Sequence, residues 1–418
     1  MHNLLQKFSN VTLRLFVLIL RFMLLVVMAR NMEIADVASY GLFVAIIGYG
    51  LLIVGLDFYN YSNREILKDA SYNKAQMIKS QFVLTLISYF LIIPVMTAVL
   101  FNLGFKESFL VWFVILLILE HLNQEIYRLT ITLGHQLYAT FLLFGRQGLW
   151  AIIVIYEVLI HDRILSLDHV LSLWAASSFV CLMFGIIKLD RLKLLSFQYY
   201  VAWEFLSRGV KVSFALFLGT VALRGIQTAD RFWIALVSNQ DVVAAYVVFM
   251  SIAGALYAFL DAGIFSFSYP KLIQFYNDNN EESFWKEFKT LLIQTVVACA
   301  GFCLAIYLFT PHILEFLDKD EYNNNIEVLY WSLAFVNSYG LSMIPHFALY
   351  AQSKDKAIIM SHVSAAGLMA ILFLISYFLD FSTKEILYCI LLVNISVLLM
   401  KSAYLWQVIK SSFSLRRT

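Results

Sequence analysis

The chain has 418 residues, of which 61% are hydrophobic, 16% are aromatic and only 14% are charged. Soluble domains average about 45–50% apolar and about 25% charged residues, so this composition predicts a membrane protein and excludes a soluble one. The formal net charge of +2 argues against a surface for polyanions. We therefore expect no nucleic-acid partner, and any preference for anions must arise from a local group of cations.

Twelve apolar runs are each long enough, at about 20 residues, to cross a bilayer as a helix. Basic residues concentrate in alternate loops, eighteen against five, and the basic loops of membrane proteins are cytoplasmic. The sequence thus predicts an all-α polytopic protein with both termini in the cytoplasm. Its predicted spans are 9–30, 38–56, 81–101, 109–131, 138–160, 170–187, 210–236, 243–267, 290–309, 327–350, 357–379 and 386–407.

The two halves of the chain resemble each other. ASYGLFVAIIG (38–48) aligns without gaps on AAYVVFMSIAG (244–254), 206 residues later. Because each half then holds six spans, the repeat is parallel, an arrangement found in transporters that bind substrate between two lobes. We predict a first lobe at 1–187, a basic linker at 188–208 and a second lobe at 209–418. The sequence of the linker fits two descriptions equally well: an amphipathic segment on the cytoplasmic leaflet, or an ordinary cytoplasmic loop rich in basic residues.

Charged residues inside the predicted spans mark candidate functional positions, because a charge in the bilayer usually faces a cavity or a partner. Arg14 and Arg21 are seven residues apart, as are Arg224 and Arg231, so each pair lies on one helix face. Gln227 extends the second face. Guanidinium groups grip phosphate bidentately, and the two stripes predict a phosphate-bearing substrate. Alternatively, Arg14 and Arg231 snorkel to the inner and outer headgroups.

A second polar stripe ends the fourth span, in ILEHLNQEIYRL. It forms either a titratable site in a cavity or a local salt bridge. Its members occupy positions i, i+3, i+4 and i+7, with Glu120 beside them: His121, Gln124, Glu125 and Arg128.

Four further charges stand alone in the predicted spans. Arg146 either lines the cavity or pairs with Glu120 or Glu125. Asp230 and Asp261 are expected to pair with a neighbouring group or to take up a proton, and Lys401 is expected to snorkel. Basic residues outnumber acidic ones within the spans, so the predicted cavity is cationic.

Several stretches together resemble the Wzx-type flippases of lipid-linked oligosaccharides, a branch of the MATE-like MOP exporter superfamily. The most specific feature is the Asp230–Arg231 pair followed by a short loop and Tyr246. This sequence departs from the family in one respect. Some lumens of the family are rich in lysine, whereas the basic residues in the spans of this sequence are mainly arginine. The stretches are MARNMEIADVASYGLF (28–43), NREI (63–66), EIYRLTITLGHQLYATFLLFGRQGLW (125–150) and ADRFWIALVSNQDVVAAYVVF (229–249).

The resemblance implies a multi-pass protein of the bacterial inner membrane with two six-helix lobes around a cationic cavity. It implies translocation of a short sugar repeat on undecaprenyl or another polyprenyl diphosphate, for O-antigen lipopolysaccharide or capsule. Polysaccharide polymerase and chain-length regulator proteins are the implied partners. No catalytic residue, metal or cofactor is expected beyond H⁺ or Na⁺ coupling through Glu120, Glu125 or Asp230. The diphosphate and acidic sugars would contact Arg21, Arg224, Arg231 and Arg146.

Two alternatives remain open. A multidrug antiporter of the same superfamily would favour an acidic cavity for cations, against the charge balance of the spans. A glycan polymerase or ligase would need a catalytic base or long outer loops, and the longest outer loop, 310–326, has one histidine and no Ser-His-Asp order.

Overall fold

A computed structural model of the protein describes residues 2–68, 73–161, 164–195 and 198–415. Within these ranges the structure is almost wholly helical, with sixteen α-helices, two π-helical turns and no strand. An isolated bridge joins Met32 to Leu165. The chain divides into two compact units, Met1–Val221 and Ala222–Thr418.

The first unit is built around α5, which packs against α2, α4, α6 and α8. Two glycines with positive φ, Gly104 and Gly134, turn the chain after α4 and α5. The helices of this unit are α1 (His2–Asn31), α2 (Ile34–Gly55), α3 (Tyr59–Leu67), α4 (Lys74–Asn102), α5 (Glu107–Thr132), α6 (Gln136–Phe144), α7 (Trp150–His161), α8 (Leu167–Arg191) and the first part of α9 (Trp203–Val237).

The second unit is built around α14, which packs against α10, α12, α15 and α16. Its helices after α9 are α10 (Gln240–Leu260), α11 (Ser266–Asn277), α12 (Glu281–Leu317), α13 (Asp320–Asn324), α14 (Glu327–Ala351), α15 (Asp355–Phe378) and α16 (Thr383–Leu415).

Side-chain caps fix the starts of four long helices. Asn73, Ser166, Asn239 and Asn280 each accept a hydrogen bond from a backbone N–H in the first turn that follows. Such caps satisfy donors that have no partner within the helix.

The structure confirms the predicted fold class. Among the residues that the structure describes, ten helices are long and apolar enough to cross a membrane, or eleven if Trp203–Phe214 and Phe217–Val237 count as one span. The count is lower than the predicted twelve because α14 is not apolar enough to qualify. It nevertheless coincides with the predicted tenth span, 327–350.

The described parts of the segment predicted as a lobe linker, 188–195 and 198–208, lie within the first unit. Ala202, Phe205 and Leu206 are buried in an apolar cluster with Phe58 and other residues of α3 to α5. The start of α4 anchors the same segment, since Lys79 Nζ donates to the Tyr199 carbonyl at 2.6 Å and Ser80 Oγ accepts from the Ala202 N–H at 2.9 Å. Tyr200 and Trp203 remain exposed, so the segment is amphipathic. Its role as a linker stays a prediction.

Candidate functional site

Two of the predicted site residues lie on π-helical turns. Gly145–Leu149, which carries Arg146, joins α6 to α7. Asp261–Phe265, which begins with Asp261, joins α10 to α11. A π turn adds one residue to a helical turn and is frequent at functional sites. A Cβ at position 145 would lie 2.5 Å from Cys181 Sγ, so a larger residue on the first turn would displace that side chain.

Glu120 and Arg146 form a buried ion pair in the first unit. Arg146 Nε lies 3.6 Å from Glu120 Oε2, and Arg146 Nη1 donates to the Glu120 carbonyl oxygen at 3.4 Å. The other carboxylate oxygen of Glu120 accepts from Ser178 Oγ at 2.7 Å and from Trp174 Nε1 at 3.0 Å. Of the two carboxylates predicted as partners of Arg146, the structure selects Glu120.

Glu125 and Arg128 form the intrahelical salt bridge that was one of the two predicted alternatives. Arg128 Nη1 lies 2.7 Å from Glu125 Oε1, and its guanidinium stacks 3.6 Å above the ring of Tyr59. The second oxygen of Glu125 accepts from Gln81 Nε2 at 2.6 Å. This carboxylate is therefore engaged on both oxygens.

His121 is buried one turn before this salt bridge. Its Nδ1 lies 2.8 Å from the hydroxyl of Tyr89, whereas its Nε2 has no hydrogen-bond partner among the residues that the structure describes. The ring borders a cavity of about 10 Å³, lined also by Gln81, Ser88 and Glu125. This volume is about that of a single water. Gln124 is half-buried on the same helix.

Arg14 and Arg21 are both exposed on α1. Neither forms a salt bridge within the described ranges. Their spacing of seven residues places them on one face, as predicted.

Arg224 leads a polar patch in the second unit. Its exposed guanidinium donates to Gln227 Oε1 at 3.5 Å. It also interacts electrostatically with Tyr257 and Tyr339, whose rings are 4.9 Å apart. Gln227 lies beside Tyr339, and Asp261 interacts electrostatically with both tyrosines. We call these five residues the Arg224 patch; it combines a permanent cation with one carboxyl group, one amide and two phenols.

Asp230 is buried and pairs with the neighbouring helix α10. It accepts a hydrogen bond from the Tyr246 hydroxyl at 2.5 Å and another from the Arg231 backbone N–H at 2.8 Å. The half-buried Arg231 side chain interacts electrostatically with it. The two residues that carry the sequence resemblance most specifically, Asp230 and Tyr246, are thus in direct contact.

The structure contradicts the expectation that Lys401 snorkels. Its side chain has no exposed surface, because α14 and α15 pack around the part of α16 that carries it. Among the described residues, no three His, Cys, Asp or Glu side chains are grouped to hold a metal ion.

Sequence reasoning missed the neutral partners of these charges. Ser178 and Trp174 on α8, Gln81 and Tyr89 on α4, and Tyr339 on α14 come from distant parts of the chain. Hydropathy treats these residues as ordinary members of a span. The one local signal was glycine at 145 and 148 around Arg146, which marks an irregular turn.

The architecture is that of a polytopic helical membrane protein, and solved structures of MATE transporters of the MOP superfamily share it. The inward-facing conformation of a multidrug resistance MATE family transporter matches with a TM-score of 0.74 and 12% identity, over 94% of both chains. The outward-facing conformation of a multidrug resistance MATE family transporter matches with a TM-score of 0.55 and 14% identity, over 99% of this chain and 97% of that one.

A MOP superfamily transporter from Pyrococcus furiosus matches with a TM-score of 0.55 and 12% identity, over 97% of this chain and 96% of that one. It is described as having a binding pocket of reverse polarity that suggests a different function. No family model matches the chain, and no curated protein does. At these identities the likeness defines the fold: this chain has the fold of MOP superfamily transporters.

Proposed function

We propose that this protein is a flippase that moves a polyprenyl-diphosphate-linked oligosaccharide from the cytoplasmic to the outer leaflet by alternating access. The observation that carries the proposal is that, among the described residues, three acids of the predicted spans are paired whereas three exposed arginines are not. The acids Glu120, Glu125 and Asp230 all accept hydrogen bonds within their own units. Arg14, Arg21 and Arg224 are exposed and form no salt bridge within the described residues.

This balance leaves cations available to a ligand and keeps most acids occupied. An anion with several oxygens on one phosphorus matches a guanidinium fork. The Arg224 patch adds two phenols and an amide, which suit sugar hydroxyls. Arg146 is committed to Glu120, so the proposal rests on Arg14, Arg21 and Arg224. The sugar repeat would serve O-antigen or capsule assembly in a bacterial inner membrane.

A multidrug antiporter is the second candidate, because structural neighbours are multidrug transporters. A cationic drug requires an available carboxylate. Asp261 is the one exposed acid of the predicted set, and it lies in the same patch as Arg224. The neighbour with a pocket of reverse polarity supports the view that this fold is not restricted to one charge of substrate.

The first prediction tests the flippase. Deleting the gene is expected to accumulate single repeat units on diphosphate carriers in the inner leaflet, where membrane-impermeant periodate added to spheroplasts does not oxidise them. Complementation with Arg224→Ala is expected to fall about 10–100-fold, the loss of one charge-assisted contact of about 1.5–3 kcal/mol.

Arg208→Ala is the matched control, since Arg208 lies on the same helix with an exposed side chain paired to Glu204. It is expected to complement fully, and Arg224→Lys to complement partially because it keeps the charge but not the fork. Periodate-sensitive repeat units in the deletion strain would contradict the flippase and indicate a polymerase. Full activity of Arg224→Ala would contradict the cationic site.

A further inference from the structure

A group of three nitrogen bases in the second unit, two of them buried and one half-buried, has no role in the function proposed above. It consists of Lys401 on α16, His346 on α14 and His362 on α15, which we call the basic triad. Lys401 has no exposed surface and His362 is 6% exposed. The two imidazole rings are 6.4 Å apart, and Lys401 interacts electrostatically with both.

Each member of the basic triad presents an unsatisfied nitrogen. Lys401 Nζ, His346 Nδ1 and His362 Nδ1 have no hydrogen-bond partner among the residues that the structure describes. Buried polar atoms are rarely left in this state, and each exception requires an explanation. Here three exceptions fall on three helices that pack against one another.

The described surroundings of the triad supply no compensating negative charge. Of the titratable groups on the two helices against α16, those that interact with Lys401 are His346 and His362. Tyr350 stacks on the ring of His346. Within the described ranges no carboxylate forms a salt bridge with Lys401. An uncompensated ammonium in such an interior costs several kcal/mol, so this packing disfavours a charge on the amine.

We propose that the basic triad is a proton-binding site of the second unit that couples transport to the proton gradient. This inference rests on the proposed transport function for its purpose but not for its chemistry. One proton adds to Lys401 Nζ or to an imidazole nitrogen and is shared among the three bases. A second proton is opposed by repulsion at this distance.

Protonation changes the energy of the helix packing itself. The added charge lies between α14, α15 and α16, where nothing in the described structure neutralises it. Proton uptake therefore favours a conformation in which these helices admit water or an anion to the triad. This gives the second unit two states that differ by one proton, which is what coupling to a proton gradient requires.

The three carboxylates that the sequence proposes for coupling differ from the triad in this respect. Glu120, Glu125 and Asp230 already accept hydrogen bonds from neighbouring side chains. Their oxygens are thus already engaged by donors on neighbouring side chains. The three unsatisfied nitrogens of the triad have no such partners among the described residues. A proton added to the triad must therefore be accommodated by a change in the packing around it.

The second prediction measures this proton in the absence of any substrate. The full-length protein is unfolded reversibly in mixed detergent micelles at several values between about pH 6 and pH 9, below the ordinary lysine value of about 10.4. Lys401→Met is compared with the wild type. The unfolded chain binds a proton on Lys401 readily, whereas the folded packing disfavours it, so lowering the pH favours unfolding of the wild type.

The unfolding equilibrium constant of the wild type relative to Lys401→Met is expected to rise by up to about tenfold for each unit of falling pH, the limit for one proton. Lys356→Met is the matched control, because Lys356 is exposed near the start of α15, and it is expected to follow the wild type. Lys401→Arg, which cannot deprotonate, is expected to be destabilised at every pH.

A pH dependence that is the same in the wild type and in Lys401→Met would overturn the proposal. So would a difference between them that follows the chloride concentration at constant pH, because the triad would then be an anion site. If Lys401→Met does not fold, His362→Gln serves instead, over a range extended to about pH 5, and is expected to weaken the pH dependence below about pH 6.5, the ordinary histidine value.

Transport then separates this inference from the proposed function. In vesicles, Lys401→Met is expected to translocate substrate down its own gradient but to lose acceleration by a proton gradient. A normal acceleration in that variant contradicts the proton site. Absence of any oligosaccharide transport by the wild type contradicts the flippase and leaves the unfolding result as an independent test of the triad.

Discussion

Glu120 and Arg146 show how a residue that costs energy in a membrane is stabilised by particular neighbours. The carboxylate receives two hydrogen bonds on one oxygen, from Ser178 and Trp174, and faces Arg146 with the other. Because both charges are buried, neither has solvent to replace a lost partner. The pair therefore holds α5, α8 and the π turn that carries Arg146 in one arrangement.

The third prediction follows from this pair. Glu120→Gln leaves Arg146 as an uncompensated buried charge, and it is expected to lower the free energy of unfolding by about 3–5 kcal/mol. The double variant Glu120→Gln/Arg146→Met removes both charges, so it is expected to recover most of that loss. The measurement is reversible unfolding of the four proteins of the cycle in mixed micelles. Additive losses in the double variant would show that the two side chains do not interact.

At the scale of elements, hydropathy located the helices well but not their ends or irregularities. The predicted fourth span, 109–131, corresponds to Glu107–Thr132. The predicted ninth, 290–309, is the much longer helix Glu281–Leu317, because its polar ends continue the helix where an apolar window detects nothing. The structure forms contacts such as Asp230–Tyr246 and Glu120–Ser178 only by packing neighbouring helices, and no local pattern encodes those partners.

The π turns could not be predicted from the sequence either. A π turn differs from an α turn in its hydrogen-bond register, i to i+5 instead of i to i+4, and composition is nearly blind to that difference. Asp261 was recognised as a lone charge, but its position on such a turn was not. The turn determines where Asp261 points relative to the rest of α10.

The fourth prediction uses the extra residue of that turn. Deleting Gly263 removes one residue from Asp261–Phe265, so the turn can close as an α-helix while α11 keeps its register. This variant is expected to fold with near-normal thermal stability and to lose transport, because the Arg224 patch is reshaped. Deleting Ala253, which is fully buried within α10, is the control; it rotates the rest of the helix by about 100° and is expected to prevent folding. Equal stability of the two deletions would contradict this account of the turn.

At the scale of the whole molecule, the sequence predicts the orientation in the membrane, and the bias of basic residues is the physical reason. Positive residues are retained on the cytoplasmic side during insertion, which places the loop at Lys356 inside and the loop at Lys106 outside. Both side chains are exposed at helix ends, so a substitution at either is expected to leave the packing intact. The prediction therefore concerns topology alone.

The fifth prediction tests this orientation in intact cells. In a variant whose four native cysteines are replaced, Lys106→Cys is expected to react with a membrane-impermeant maleimide, and Lys356→Cys only after the cells are permeabilised. The native cysteines must be removed because Cys303 is only half-buried and would give background. The reverse pattern would place the basic loops outside. The inner and outer ends of every helix would then exchange. The proposed direction of transport, from the inner to the outer leaflet, would have to be revised.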